Sequence, residues 1–300
     1  MVTIIIPTCN RHSYLQDLIY LIGKQSIKPS KVIIVDSSDK ILSPSTLNAS
    51  EIEIDYLHTP NKSAAGQRNL GLEKVSNGCK YVAFLDDDTR PNSNYLESLI
   101  FGLEKFNAIG ISGLAINPSK AERRYRPNGV VGNIQRFFLL DSEKDGVILK
   151  SAIATPIRVY GDGIKQSQWL IGCSVWKYEQ ISKLRFENDF KGQSLGEDVI
   201  FSYRASLQGN LIVDSGVYLD HFEAKVNRPK ELEFWKMWVI NRYRLSQVMY
   251  PNYNVYFSFH WANLGQLLFL MYKLFSRSSQ SKFSICGIIA GYKQICFRSN

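Results

Sequence analysis

Three consecutive carboxylates follow an apolar run in Phe84-Leu85-Asp86-Asp87-Asp88-Thr89. Crowded anions raise one another's energy unless a cation or hydrogen-bond donors absorb the charge. In an extended chain, residues i and i+2 share a side, so Asp86 and Asp88 are expected to face the same way. Oxygen donors of this kind suit Mg²⁺ or Mn²⁺, which commonly take one or two carboxylates together with substrate phosphates. An acidic turn in which an Asp caps the next helix would use the same residues. Asp36 closes another apolar run in Val35-Asp36-Ser37-Ser38. There a carboxylate could accept from a base N–H or a ribose hydroxyl, or simply begin a turn. In Ser63-Ala64-Ala65-Gly66-Gln67-Arg68-Asn69-Leu70-Gly71, small residues at a helix start let backbone N–H groups approach an anion. Arg68 could contact a diphosphate or order the acidic loop, and a plain helix start would look alike. Glu197-Asp198, after Gly196, is expected at a helix N-terminus that keeps both ionised. A base or a second acidic site would be placed so, and so would ordinary N-terminal charge. His221, in Tyr218-Leu219-Asp220-His221, could complete a metal site or be a structural histidine. His12, His58 and His260 follow no pattern of this kind.

The positions of these residues follow from the elements around them. Val2–Ile6 and Lys31–Val35 are β-branched runs that read as buried parallel strands. Strands are also expected at Ile52–Leu57, Tyr81–Leu85, Ile109–Leu114, Leu211–Val213 and Val217–Leu219. Helices are expected at about 13–25, opened by a Ser13-x-x-Gln16 capping box, and at Ala64–Lys74, Asn94–Lys105 and about Leu195–Gln208. Strands alternating with helices imply βαβ units and a mostly parallel sheet, with ligands at the carboxyl ends of its strands. Residues 116–165, with Arg123-Arg124-Tyr125-Arg126, read as a loop-rich insertion that could border the site. The expected organisation is a nucleotide-binding half over 1–115, an acceptor-binding half over 116–230 and a helical segment over 231–300.

Composition bounds the rest. Forty-five per cent hydrophobic residues in 300 suit a packed core. The cysteines Cys9, Cys79, Cys173, Cys286 and Cys296 form no C-x-x-C pair, so free thiols are expected rather than a zinc site. Met1 runs directly into an apolar strand, unlike a signal peptide. Residues 221–300 hold 11 Lys/Arg against 3 Asp/Glu, nearly all of the net charge of +9. Such a segment suits an anionic membrane surface, nucleic acid or a solvated face. No nucleic-acid recognition motif accompanies it.

The motifs occur together and in order. Ile5-Ile6-Pro7-Thr8-Cys9-Asn10-Arg11, Val32–Ser37, Gly66–Gly71, Asp86–Asp88, Trp169-Leu170-Ile171-Gly172 and Gly196-Glu197-Asp198-Val199 resemble the family 2 glycosyltransferases, over roughly residues 2–222. The resemblance implies the GT-A (nucleotide-diphospho-sugar transferase) α/β fold. It implies a nucleotide-sugar donor bound by Pro7, Thr8, Arg11, Asp36, Gly66, Arg68, Asp86 and Asp87. Asp86 and Asp88 match an Asp-x-Asp motif for Mg²⁺ or Mn²⁺, with His221 a looser further ligand. Trp169 and Gly172 would border the acceptor, a glycan or lipid-linked glycan. Asp198 would be the base of an inverting transfer, with Glu197 beside it, in surface polysaccharide assembly. A nucleotidyltransferase would carry a Gly-rich loop where Pro7–Arg11 stands. A non-catalytic binding module remains the other alternative.

Between Arg244 and Lys273 no residue is charged. Tyr253–Phe275 as a helix is long enough to span a bilayer, but Asn254, Ser258, His260, Asn263 and Gln266 interrupt it. His260, Asn263, Gln266 and Lys273 are expected on one side, giving an amphipathic helix lying in the membrane interface. A core helix and a true span are the alternatives. The expected location is cytoplasmic, at the inner face of the cell membrane.

Overall fold

The computed structural model describes residues 1–43, 47, 52–119, 128–158, 163–188, 195–224, 230–250, 256–275 and 280–297. Arg123–Arg126 and residues 253–255 lie outside the described residues. The elements are β1 (Val2–Thr8), α1 (His12–Ile22), β2 (Lys31–Asp36), β3 (Glu53–His58), α2 (Ala64–Glu73), β4 (Tyr81–Phe84), β5 (Thr89–Pro91), α3 (Tyr95–Lys105), β6 (Gly110–Ile116), α4 (Gly129–Phe137), β7 (Ile164–Ser167), β8 (Ser174–Lys177), α5 (Tyr178–Ile181), α6 (Glu197–Ser206), β9 (Leu211–His221), α7 (Glu231–Met249), α8 (Tyr256–Phe275) and α9 (Gln280–Phe297).

The chain divides into two compact units, Met1–Arg123 with Val159–Asn227, and Arg124–Arg158 with Arg228–Asn300. This division differs from the three consecutive segments expected above. Residues 128–158 of the insertion fall with the C-terminal helices, and its two described ends fall in the first unit.

The first unit is built on one sheet in the order β3-β2-β1-β4-β8-β6-β9-β5, with β7 paired to β9. Strands β3, β2, β1 and β4 run parallel. Beyond them the sheet is mixed, since β8 is antiparallel to both β4 and β6. Every residue of β1 is buried, as a strand covered on both faces requires. Ile4, Ile6, Val32, Ile34 and Ala83 meet Leu15, Leu18, Leu99 and Leu103 in one core. Burying each such aliphatic side chain contributes about 1.5–3 kcal/mol. That core holds the carboxyl ends of β1, β2 and β4 side by side.

Three local expectations are corrected. Helix α1 is capped by Arg11 with no side-chain hydrogen bond, so the Ser13–Gln16 capping box does not form. Ser13 lies inside the first turn rather than before it. The two short strands near 211–219 are one strand, β9, with a register shift opposite Ser112 and Leu114 of β6. Gly113 stands at that shift, where an added Cβ would meet the Val217 carbonyl oxygen at 2.5 Å. Lastly, residues 86–88 are not extended. The Asp86 carbonyl accepts from Thr89 N–H at 3.2 Å and the Thr89 hydroxyl at 2.7 Å, which closes a turn. The i, i+2 argument therefore does not apply, and the three carboxylates leave the turn separately.

In the second unit, Val239, Phe259, Leu270 and Ile288 form the centre of a core among α7, α8 and α9. Arg242 is buried there and held by neutral acceptors, Asn263 Oδ1 at 2.8 Å and the Ser151 carbonyl at 2.6 Å. It also lies over the Trp238 ring, at 4.0 Å from the centroid. Burial pulls its pKa down to about 9. This arrangement takes Asn263 out of the expected polar side of α8, while His260 and Lys273 are exposed as expected. Asn263 faces inward because the buried guanidinium needs an acceptor, while Phe257, Leu264, Leu268 and Met271 are exposed.

Candidate active site

The loop after β1, the turn after β4 and the end of β9 meet around Asp87 and Asp88. The Thr8 hydroxyl donates to Asp87 Oδ2 at 2.7 Å. Arg11 Nη1 donates to Asp87 Oδ1 at 3.0 Å and lies 3.4 Å from Asp88 Oδ2. Ala224 N–H donates to the same Asp88 oxygen at 2.8 Å, and His221 Nε2 lies 3.2 Å from Asp88 Oδ1. The two neighbouring carboxyls are driven apart. Burial pushes Asp87 up to about 6 despite Arg11 and Thr8. Burial acts on Asp88 in the same sense, but the bond to His221, that imidazole's charge, the Ala224 amide and Arg11 hold it down at about 2. Burial opposes the charge on His221, yet the bond to Asp88 and the surrounding carboxylates raise its pKa.

Asp86 points elsewhere. Arg68 Nη2 donates to Asp86 Oδ1 at 2.6 Å, and Arg68 Nη1 bonds Glu197 Oε1. Arg68 and Glu197 are both buried. One guanidinium on α2 therefore ties the turn after β4 to the first residue of α6. Arg68 Nε and Glu197 Oε2 have no hydrogen-bond partner among the described residues. Gly196 caps α6 with φ 85°, a left-handed conformation that glycine adopts without penalty. Next to Glu197, Asp198 accepts from its own neighbour, Val199 N–H, at 2.9 Å. Burial raises Asp198 to about 6, against the pull of Arg68. Such a carboxyl titrates close to neutrality, where a general base is most effective.

Gly172 lies against this pair. A Cβ there would sit 3.0 Å from Arg68 Nη2 and 3.4 Å from Asp86 Oδ2. Trp169, three residues earlier, is half-buried, and Leu170 N–H donates to Ser202 Oγ on α6 at 3.0 Å. Pro7 is buried in β1 opposite Val35. Gly66 N–H donates to the capping Ser63 hydroxyl at 3.2 Å. Asp36 is enclosed, with its carboxylate bonded to Ser38 N–H, Tyr56 and His12.

Two contributors were not singled out in the sequence. Gln67 Nε2 donates to the Thr8 carbonyl at 2.7 Å and the Val35 carbonyl at 2.6 Å, joining the ends of β1 and β2. Its place between Gly66 and Arg68 was the available signal. His12 was the other, visible only as the neighbour of Arg11.

Among the described residues, no group of three His, Cys, Asp or Glu is arranged to hold a metal ion. The donor chemistry nevertheless fits one. Two carboxylates, Asp86 and Asp88, and the His221 imidazole are donors that suit Mg²⁺ or Mn²⁺. Asp86 has 30 % of its side chain open. Arg11 brings positive charge to Asp87 and Asp88, and His221 bonds Asp88.

The sequence profile described as Glycosyl transferase family 2 matches residues 3–159. An uncharacterized glycosyltransferase of Rickettsia felis is 31% identical over 110 residues, 36% of this chain and 18% of that protein. A putative teichuronic acid biosynthesis glycosyltransferase of Bacillus subtilis, TuaG, is 33% identical over 122 residues, 39% of this chain and 47% of TuaG. The matches thus span less than half of these relatives. Among solved structures, a mannosyltransferase from Pyrobaculum calidifontis in complex with GDP-Man and Mn²⁺ superposes with a TM-score of 0.58 at 14% identity, over 100% of this chain and 88% of that one. Residues 1–349 of S. aureus TarS give a TM-score of 0.58 at 14% identity, over 97% and 80%. At such identity these two likenesses establish the GT-A-like fold. With the profile match covering more than half of its length, the chain belongs to glycosyl transferase family 2.

Proposed function

We propose that the protein transfers a sugar from a nucleoside-diphosphate donor to a hydroxyl of a glycan or lipid-linked acceptor, with inversion, in surface polysaccharide assembly. The observation that carries the reading is the Arg68 bridge from Asp86 to Glu197. It links a donor-side carboxylate to the helix that begins with Glu197 and Asp198.

In this reading Thr8, Arg11 and Arg68 line the diphosphate pocket with Pro7, Gly66, Asp86 and Asp87. Trp169 and Gly172 border the acceptor. Asp198 takes the proton from the acceptor hydroxyl as that oxygen bonds to the anomeric carbon. The bond from that carbon to the diphosphate breaks, and its electron pair leaves with the nucleoside diphosphate. A positioned base contributes about 10²–10⁴-fold. Glu197 keeps Arg68 oriented, and Arg68 supplies positive charge beside the departing diphosphate. Asp86, Asp88 and His221 would hold a divalent cation, which when bound supplies further positive charge to the same phosphates. The cation bound in the Pyrobaculum mannosyltransferase and the donor nucleotides bound in that enzyme and in TarS support this choice.

No helix among the described residues is long and apolar enough to cross a membrane. The exposed Leu264, Leu268 and Met271 on α8, with Lys273 beyond them, support peripheral contact with the inner face of the cell membrane. A variant Asp198→Asn tests the transfer reading. It is expected to bind donor nucleotide like the wild type and to form no product. Equal loss of both would contradict the assignment of the base, and full turnover would remove it.

A further inference from the structure

Side chains along β9 alternate between the two faces of the sheet. Leu219 is buried in the core, and His221 reaches Asp88. The residues between them face the other way. Tyr218 is 50 % exposed and Asp220 is half-buried. Both neighbouring strands extend that face, because directly paired residues share a side. Ile116 of β6 stands opposite Asp220 and is 39 % exposed. Arg90 of β5 stands opposite Asp220 from the other flank. Arg90 also lies over the Phe222 ring, 5.5 Å from its centroid, so Phe222, 45 % exposed, belongs to the same face.

The Phe222 ring is well supported. Arg90 is fixed by Asp17 at 2.8 Å and by the Thr89 carbonyl at 2.8 Å. Phe222 N–H donates to the Asp88 carbonyl at 3.0 Å. The face thus ends one residue beyond His221, beside the acidic turn. Asp220, between the two rings, makes no hydrogen bond or ion pair among the described residues. Large aromatic rings gain most when buried, so two half-open rings on one small face mark a contact surface. Hydrocarbon does not suit it, because a lipid chain would strip water from the Asp220 carboxylate and return no hydrogen bond. A pyranose does suit it. Its ring C–H groups pack on the electron-rich aromatic faces, and its rim hydroxyls donate to a carboxylate.

We propose that Tyr218, Asp220 and Phe222, flanked by Ile116, bind a sugar ring of a glycan acceptor. This rests on the glycosyl-transfer reading above and narrows it, since the part of the acceptor that meets this face is carbohydrate. Arg90 is a positioning residue, acting through the Phe222 ring.

The test is an array of immobilised oligosaccharides built from hexose, N-acetylhexosamine and deoxyhexose rings, probed with the full chain. Calorimetric titration then uses the oligosaccharide retained best. Wild type is compared with Tyr218→Ala, Tyr218→Phe, Phe222→Ala and Asp220→Asn, and a thermal melt confirms that each is folded. UDP, GDP and dTDP are titrated in parallel. Wild type is expected to retain a defined subset of the oligosaccharides. Tyr218→Ala and Phe222→Ala should each weaken that binding by about 3–10-fold, the effect of losing one aromatic contact. Asp220→Asn should weaken it as well, while Tyr218→Phe, which keeps the ring, should bind like wild type. Nucleotide affinity in Tyr218→Ala should equal that of wild type. Oligosaccharide binding unchanged in both alanine variants, or as weak in Tyr218→Phe as in Tyr218→Ala, would overturn the stacking face. Wild type that binds one of the nucleotides but retains no oligosaccharide would overturn it too and leave the donor reading standing. Oligosaccharide binding through these residues with no nucleotide bound would uphold the face and overturn the donor reading.

Discussion

Arg68 contacts two carboxylates that lie 111 residues apart in the chain, Asp86 and Glu197. Its charge also lowers the pKa of Asp198, which burial has raised to about 6. The proposed base must be ionised to accept a proton, so kcat/KM should rise with pH through about 6 and then level. Arg68→Gln removes the lowering charge, so this limb should move to higher pH. The same variant leaves Glu197 buried without its cation, at a cost of about 3–5 kcal/mol. A pH–rate profile with a thermal melt checks both effects. Stability has its own sign. Asp198 has a folded pKa above its unfolded value of 3.8. Its contribution is therefore complete below pH 4 and lost as pH rises through about 6. Asp198→Asn should melt a few degrees above wild type at pH 8, with the gap closing toward pH 4. A lower melting temperature at pH 8 would contradict a half-buried carboxylate that is destabilised when ionised.

At the scale of elements, β1, β2 and β4 were legible because each is a mostly apolar run that leads into polar residues. Helices α2, α3 and α6 were legible from apolar spacing and from Gly196 before two acids. The short strands β5, β7 and β8 were not. Thr89–Pro91 and Ile164–Ser167 carry no alternation, and they are strands only through pairing with the distant β9. The Asp86–Asp88 turn was legible only as the alternative to an extended run. Its closure depends on the Thr89 hydroxyl, which hydrophobic pattern does not reveal. Asp36 was legible as a strand-end carboxylate, but its enclosure by His12 and Tyr56 depends on the β1–β2–β3 pairing. Two glycines test the packing argument. Gly113→Ala would drive a methyl into the Val217 carbonyl and should cost about 1–3 kcal/mol of stability, read by denaturant melt. Gly172→Ala would press on the Arg68–Asp86 pair. It should weaken transfer more than it lowers the melting temperature, which a kinetic assay beside a melt will separate.

For the whole molecule, the sequence indicated a helical C-terminal segment but not its partner. Residues 124–158 join that segment through contacts such as Arg242 to the Ser151 carbonyl, which no periodicity encodes. The orientation of α8 was hidden for the same reason, since Asn263 turns inward to serve Arg242. If the apolar face left outside meets lipid, Leu268→Lys with Met271→Lys should reduce sedimentation with anionic vesicles several-fold and leave nucleotide affinity unchanged. Sedimentation equal to wild type would contradict the membrane contact. The central claim is that the strand ends of the first unit form a nucleoside-diphosphate site used with a divalent cation. Calorimetric titration of the full chain with UDP, GDP and dTDP, each with Mn²⁺ and with EDTA, tests it most directly. Saturable binding of one of these nucleotides, weakened by EDTA, is the predicted result; a folded protein that binds none of them in either condition would contradict the account.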